Sequence, residues 1–404
     1  MPVPAGWSVG KPRADFSPFK NEKPIYTIDA SNVDKYAESL SPGQILQIKQ
    51  VKGYKIDVYP SHRTCGNPDF VIENSKKNMS DAKIAADGAG LGMAHLPGVP
   101  FPNPKTGLEA LWNYLVHYQG VGYIWPEAVT YVSPRAEGAS PLRVTGGMQY
   151  FAPWGAKGST SPAKVNDVMW GFGYAYLTPS ALAGQALVQN FSFNKSGSDT
   201  YFYFPGQRRV RRMPTYAYDS PIISFESQYT VDQANLFTGY PDRYDWKIVG
   251  KKSMVIPYNV FSMYDPRLKT DDVFQPASVN PAYRRYEAHD VLQIEGTVKQ
   301  GVRHSTPKRV MYLDLDSWIA VLGDDYDASG KIWKVKEGYT IPAWEVGACE
   351  MATFSQFDVA SGRYLVDGAT AGTNKEMYWV TESKDPKFQP SYYSAEQLQS
   401  RSER

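Results

Sequence analysis

The fold is decided by Thr106-Gly107-Leu108-Glu109-Ala110-Leu111-Trp112-Asn113-Tyr114-Leu115-Val116-His117-Tyr118-Gln119-Gly120 and by the strand-like Val121-Gly122-Tyr123-Ile124-Trp125 that follows at once. Thr106 and Glu109 have capping-box spacing, and Gly120 stands where a helix would stop. At about 100° per residue Leu108, Leu111, Trp112, Leu115 and Tyr118 share one face, with Glu109, Asn113 and His117 on the other. After Gly120 the periodicity changes. Tyr123 to Tyr131, Leu142 to Phe151, Ala186 to Phe193, Thr200 to Phe204, Arg208 to Met213, Trp246 to Val255, Val291 to Val298, Lys308 to Leu313 and Ile332 to Tyr339 read as strands. Most are separated by turns too short for a helical crossover, so the sheet is expected to be antiparallel. Pro205-Gly206 suits a tight turn with glycine at positive φ, and Asp327-Ala328-Ser329-Gly330 punctuates a second hairpin. The fold class is mainly β (α+β), with one strong helix lying against a sheet.

Working back toward the N-terminus, helical and irregular patterns take over. Ser31 is placed to cap a short helix carrying Val33, Tyr36, Ala37 and Leu40. Ser41-Pro42-Gly43-Gln44 is a second capping box and opens a helix over Ile45, Leu46 and Ile48 that Gly53 ends. Asn67-Pro68 offers the start of a third, running toward Ile84. Pro97-Gly98-Val99-Pro100-Phe101-Pro102-Asn103-Pro104 reads as an extended strap, because proline fixes φ and removes donors. Gly88, Gly90 and Gly92 lack both the spacing and the preceding strand of a nucleotide loop.

Composition supports this class. Among 404 residues, Lys+Arg 43 against Asp+Glu 41 leaves a net charge of +2, so no global field points to nucleic acid or an anionic membrane. An apolar share of 42% excludes a wholly disordered chain. No apolar run approaches the roughly 18 residues of a membrane helix. Tyr 29, Phe 17 and Trp 10, with Gly 33 and Pro 30 as punctuation, favour many short strands. The two cysteines, Cys65 and Cys349, leave room for one bridge if the fold brings them together. Met1-Pro2-Val3-Pro4 shows no basic or apolar leader, which fits either a cytoplasmic protein or one whose signal peptide is gone.

Gln207-Arg208-Arg209-Val210-Arg211-Arg212 would present guanidinium groups on both faces of a strand. One row must meet solvent. The other must meet Asp219, Glu226, Asp242 or Asp245, or else an anionic head group held by Arg209 and Arg211. Asp314 and Asp316 share a face if extended and form a possible acid/base pair beside Arg303-His304, or else a turn whose aspartates cap backbone donors. Asp325, Asp327 and Ser329-Gly330 imitate a calcium loop, but Lys336 occupies its twelfth position. His62, His95, His117, His289 and His304 show no metal-ligand spacing, so no metal or cofactor is expected. His62-Arg63 reads as a polar site or a loop anchor. Phe101, Trp112, Tyr123, Trp125, Trp170 and Phe172 belong to an aromatic-rich stretch which, on a curved sheet, can line an apolar pocket.

Four motifs occur in order: Tyr59-Pro60-Ser61-His62-Arg63-Thr64; Gly98 to Pro102 running on to Gly107 through Asn113; Pro205 through Arg212; and Arg303-His304 through Asp314-Leu315-Asp316-Ser317-Trp318. Together they resemble a bacterial family of unknown function that is outer-membrane lipoprotein-sorting-protein-like and similar to the LolA and LolB carriers. The resemblance implies an incomplete curved antiparallel barrel wrapping a helix, with residues 1–58 as an N-terminal extension and 59–404 as a single half-barrel domain. It also implies a periplasmic location with the export signal removed, and an envelope exporter or outer-membrane partner. The expected function is a carrier for a hydrophobic ligand, lipid-like or a lipoprotein acyl chain. In that reading the strap or the helix moves as a lid. The alternatives are an enzyme on a large hydrophobic or polyphenolic substrate, using Asp314, Asp316, His304 or His62, and an envelope scaffold.

Overall fold

The computed structural model describes residues 2–214, 216–382 and 384–403. Its strands are β1 (Tyr26–Ile28), β2 (Ile56–Val58), β3 (Lys83–Ile84), β4 (Leu91–Met93), β5 (Gly122–Val132), β6 (Leu142–Phe151), β7 (Val168–Thr178), β8 (Ala186–Ser192) and β9 (Ser198–Phe204). They continue as β10 (Arg209–Arg212), β11 (Tyr244–Pro257), β12 (Tyr286–Val298), β13 (Lys308–Asp314), β14 (Ala320–Tyr326), β15 (Ile332–Ala343), β16 (Ala348–Asp358), β17 (Arg363–Ala369) and β18 (Tyr378–Val380). The helices are α1 (Pro42–Gln50), α2 (Asp69–Asp81), α3 (Gly107–Leu115), α4 (Thr270–Val273) and α5 (Ala395–Ser402).

All strands except β3 and β4 join one sheet of 16. Two meanders, β5 to β10 and β12 to β17, meet where β17 pairs with β5, and β11 adds to β12. Every strand pairing is antiparallel except a single parallel register, Tyr286 with Val58, between β12 and β2. The path ends at β1 and β10 without joining them, so the curved sheet does not close into a barrel. Bulges supply the curvature. The β5–β6 register slips between Trp125 and Ala128, and the β17–β5 register slips between Val366 and Ala369.

Both capping boxes form as read: Ser41 with Gln44 opens α1, and Thr106 with Glu109 opens α3. The α3 helix ends earlier than Gly120, and its polar face is not solvated. Asn113 is fully buried and exchanges hydrogen bonds with both Phe101 N and Phe101 O, while His117 faces Glu350. The start of α3 is open, with Thr106 exposed and Glu109 half-buried, whereas Asn113 within it and His117 just beyond it serve as internal fasteners. Pro205–Gln207 forms a 3-10 turn, but the residue at positive φ is Arg208, not Gly206.

The sequence reading omits β7, β14, β16 and β17, together with the short strands β1, β2, β3, β4 and β18. In β7, Gly171 and Gly173 interrupt the strand pattern because a side chain there would strike the Tyr393 ring and the Gln149 amide. The sheet face carrying Val188, Tyr203 and Phe151 is covered by the C-terminal segment through Phe388, Tyr393 and Leu398. Cys65 and Cys349 form a disulfide. No helix among the described residues is long and apolar enough to cross a membrane.

Candidate functional site

Antiparallel register sets aromatic side chains in rows on the other face of the β5–β9 meander. Tyr123, Tyr150, Phe172 and Gln189 are directly opposed across β5, β6, β7 and β8. The next row runs Trp125, Met148, Tyr174, Leu187, Phe202 and, on edge strand β10, Arg211. Trp170 stacks on Phe191 with ring centroids 3.9 Å apart. Tyr123, Tyr150, Phe172 and Gln189 of the first row, Trp125 and Met148 of the second, and Trp170 floor a cavity of about 150 Å³ whose walls include Tyr114 and Leu115 of α3 and Met351, Ala352 and Phe354 of β16.

The roof is the long irregular segment 216–243 ahead of β11, which contributes Ile222, Tyr229, Val231, Ala234 and Phe237 to the lining. Because its backbone forms little regular structure, side chains must satisfy it. Lys336 Nζ donates to Leu236 O at 2.8 Å, and Gln356 Nε2 donates to Gln228 O at 2.9 Å. Asp232 meets Arg309 Nη2 at 2.8 Å and His304 Nε2 at 2.9 Å. Burial works against the Asp232 carboxylate, but Arg309 and His304 hold its pKa well below the usual range. Glu226 binds Arg363 and Arg135, and Gln233 Nε2 reaches Asp325 Oδ2 at 2.9 Å. This ionic lattice under the roof is an internal charge network in which the Arg208–Arg212 strand takes no part.

Two polar clusters interrupt the apolar lining. His117 Nε2 lies 3.0 and 3.1 Å from the two Glu350 oxygens. Burial works to lower the His117 pKa, but the facing Glu350 carboxylate outweighs it and the imidazole titrates above its ordinary value. At the other cluster the β17 bulge turns Asp367 inward, where it accepts from Thr130 Oγ1 and Tyr229 Oη, both at 2.6 Å. Gly368 sits at φ +71 with Ala352 O only 2.6 Å from where a Cβ would stand, so the bulge requires glycine. Burial raises the Asp367 pKa despite these donors. Both carboxylates have protein partners, so the cavity presents rings and methyl groups to a guest.

Of the residues singled out from the sequence, Tyr123, Trp125, Trp170 and Phe172 line this cavity together. Trp112 is buried elsewhere, its indole donating to Ala89 O at 2.8 Å, and Phe101 is held by Asn113. Arg209 and Arg211 are exposed on the edge strand, and Arg211 lies over the Phe204 ring. Their expected acidic partners are engaged elsewhere or not with them: Arg212 pairs with Asp199, Glu226 with Arg135 and Arg363, and Asp242 accepts from Tyr218. Five strand spacings of about 4.8 Å put Arg211 roughly 24 Å from Trp125.

His62 Nε2 meets Glu22 at 2.7 Å, Arg63 pairs with Asp316, and His304 belongs to the roof lattice. Asp314 accepts from Ser317 N and Ser317 Oγ in a tight turn. None of these lines the cavity. Asp327 is occupied by its own turn, accepting from Ser329 N and Lys331 N.

The strap 97–104 is not the cover. Asn74, Asn78, Ser75 and Asn113 side chains bind its backbone at Pro97, Val99 and Phe101, fastening it to α2 and α3. Sequence reasoning missed the roof, His117, Glu350 and Asp367 as neighbours. The available signal was a stretch of about thirty residues between two strands, rich in Tyr, Phe and Ile but without strand or helix periodicity.

Residues 27–399 match the family described as protein of unknown function DUF1329. A Pseudomonas aeruginosa protein, PA3922, described as uncharacterized, is 36% identical over 355 residues, 87% of this chain and 77% of that protein. Among solved structures, a Vibrio parahaemolyticus domain named for outer membrane lipoprotein sorting shares 13% identity at TM-score 0.47, covering 72% of this chain and 98% of its own. A DUF1329 family protein from Desulfovibrio piger shares 14% at TM-score 0.42, covering 68% and 92%. A LolA superfamily protein from Nitrosomonas europaea shares 11% at TM-score 0.39, covering 72% and 100%. On the match across residues 27–399 and the 36% identity, the chain belongs to the DUF1329 family.

Proposed function

We propose that the protein is a periplasmic carrier whose cavity, floored by Tyr123, Trp125, Tyr150 and Phe172 and roofed by residues 216–243, holds a hydrophobic guest. The roofed aromatic cavity is the single observation that carries this reading. Its size sets a limit. About 150 Å³ is the volume share of roughly five waters, comparable to an engineered cavity that takes benzene. A guest burying about five methylenes gains ~4 kcal/mol, which corresponds to millimolar affinity. A lipid or lipoprotein acyl chain therefore requires the roof to lift and the cavity to lengthen toward the β8–β10 rows. Arg209 and Arg211 would meet an anionic head only in a guest spanning that whole distance.

The Cys65–Cys349 disulfide supports an oxidising compartment such as the periplasm. In this reading the sheet curls as a half-barrel about α3, residues 1–58 pack as a cover on a domain of 59–404, and an envelope exporter or outer-membrane protein receives the guest. The test is to titrate delipidated protein with a fluorescent fatty acid and with N-phenyl-1-naphthylamine. Saturable binding that Ala352→Phe blocks without unfolding the protein supports a carrier. Absence of saturable binding to the wild type removes it.

A further inference from the structure

We propose that His289, Asp314 and Asp316 form a binding site for a divalent transition-metal ion, best matched by Zn²⁺, separate from the cavity. The β12–β13 ladder pairs Val291 with Asp314 and continues through Leu315 N to Asp290 O, which brings His289 alongside the turn after β13. One ligand atom from each of the three residues lies within 4.8 Å of the others. A tetrahedral ion with bonds near 2.1 Å holds its donors about 3.4 Å apart, so closing the site requires shifts of roughly 1 Å.

Three features point to an ion and not only to a turn. Asp314 is 1% exposed, and its Oδ1 has no hydrogen-bond partner although Oδ2 accepts from Ser317 N, Ser317 Oγ and, at 3.4 Å, Tyr258 Oη. A buried carboxylate oxygen left this way is costly without a cation or proton. Next, His289 Nε2 lies 3.0 Å from Glu287 Oε2, leaving Nδ1 to coordinate, in the carboxylate–histidine order that orients metal-ligating imidazoles. Glu287 is itself fixed by Arg285 Nε at 2.7 Å, Asn259 Nδ2 at 3.0 Å and His62 N at 2.8 Å. Finally, among the described residues Arg63 is the Lys or Arg side chain that pairs with either of the two carboxylates. Arg63, with 78% of its side chain exposed, holds both Asp316 oxygens from solvent. It acts as a displaceable counter-charge, so an ion and Arg63 compete for Asp316. One imidazole and two carboxylates leave coordination positions for water, as in sites where the metal is accessible.

The experiment is calorimetric titration of metal-free full-length protein with Zn²⁺, with Co²⁺ absorption as an independent readout of coordination and circular dichroism as a fold check. We expect one Zn²⁺ per chain. Glu287→Gln should weaken binding about 10–100-fold, because the carboxylate that orients the His289 ring is lost. His289→Ala should abolish it. Arg63→Ala, an exposed change that leaves the fold intact, should tighten binding by removing the competitor. The proposal is overturned if neither wild type nor Arg63→Ala binds stoichiometrically. It is equally overturned if binding survives His289→Ala and disappears in His95→Ala, which would mark adventitious surface chelation.

Discussion

Tyr229 Oη donates to Asp367 Oδ2 at 2.6 Å, so the loop that roofs the cavity is tied to the strand that walls it. The phenol is fully engaged, and burial pushes its pKa well above the ordinary value, so it remains a donor across the accessible pH range. Tyr229→Phe removes that tie without changing ring volume. A hydrogen bond to a charged or buried carboxyl contributes about 1.5–3 kcal/mol, and the variant should lose stability of that order by urea titration. If the roof gates entry, the same variant should take up N-phenyl-1-naphthylamine faster in stopped flow. An unchanged uptake rate would separate this contact from gating.

The disulfide spans a sequence separation of 284 between the loop joining β2 to α2 and the start of β16. Cross-linking so distant a pair removes a large share of unfolded-state freedom, and chain-entropy reasoning gives roughly 5 kcal/mol as an upper figure. Its neighbours add to the effect: Arg63 binds Asp316 and Thr64 Oγ1 binds Asn259 Oδ1 at 2.7 Å, so the 62–65 segment is sewn to two further strands or loops. Cys349→Ser should lower the thermal midpoint by several degrees or more, with a similar drop when wild type is reduced. A midpoint insensitive to reductant would contradict this.

What the sequence disclosed and what it concealed divide along a physical line. Features set by residues three or four apart were readable, including the Ser41–Gln44 and Thr106–Glu109 boxes. So were strands with unbroken alternation, such as Leu142–Phe151. Strands β7 and β17 were not, because Gly171, Gly173 and the Asp367–Gly368 bulge break the pattern for the sake of contacts remote in sequence. The same holds at the cavity. Tyr123, Trp125, Trp170 and Phe172 stood out as a local aromatic cluster, whereas Tyr229, Glu350 and Asp367 reach it only through tertiary pairing. The paired aspartates were visible as i and i+2, but His289 joins them only through the β12–β13 register.

Asp324 makes stability depend on pH in an unusual direction. It is completely buried against the first turn of α1, where it accepts from Gly43 N at 3.1 Å and Ser41 Oγ at 3.2 Å. Any Cβ at Gly43 would stand 2.0 Å from Asp324 Oδ1, so glycine is what admits this close approach. Burial raises the Asp324 pKa to about 7, more than the Gly43 and Ser41 bonds lower it. A carboxyl raised in the folded state favours folding at low pH, and that contribution fades as pH climbs from the unfolded value near 4 through 7. Asp324→Asn keeps an acceptor for Gly43 N–H and cannot ionise. Relative to wild type it should be near neutral below pH 4, about 1.5 kcal/mol more stable at pH 5 and up to about 4 kcal/mol more stable above pH 7, on a scale of 1.4 kcal/mol per unit. Denaturant titrations at pH 5 and 8 read the difference directly. Equal values at both would show that Asp324 ionises without penalty.

Arg13 locks the N-terminal segment to the sheet from a position with no solvent exposure. Its guanidinium meets Glu345 Oε1 at 2.5 Å and Glu376 Oε1 at 3.2 Å, and lies within 5.1 Å of the Trp7 ring and 4.8 Å of the Trp379 ring. Glu376 illustrates how hard this site is to charge: burial pushes its pKa up to about 8 even with Arg13 alongside. Removing the arginine deprives Glu345 of its cation, and Glu376 as well above pH 8 where it ionises, and deleting one member of a buried pair costs about 3–5 kcal/mol. Arg13→Met fills most of the volume, so its loss should come from charge and not from a void. The double variant Arg13→Met with Glu376→Gln should therefore regain part of that stability. A double variant no better than Arg13→Met alone would mean that packing between Trp7 and Trp379, and not the buried charges, holds the segment in place.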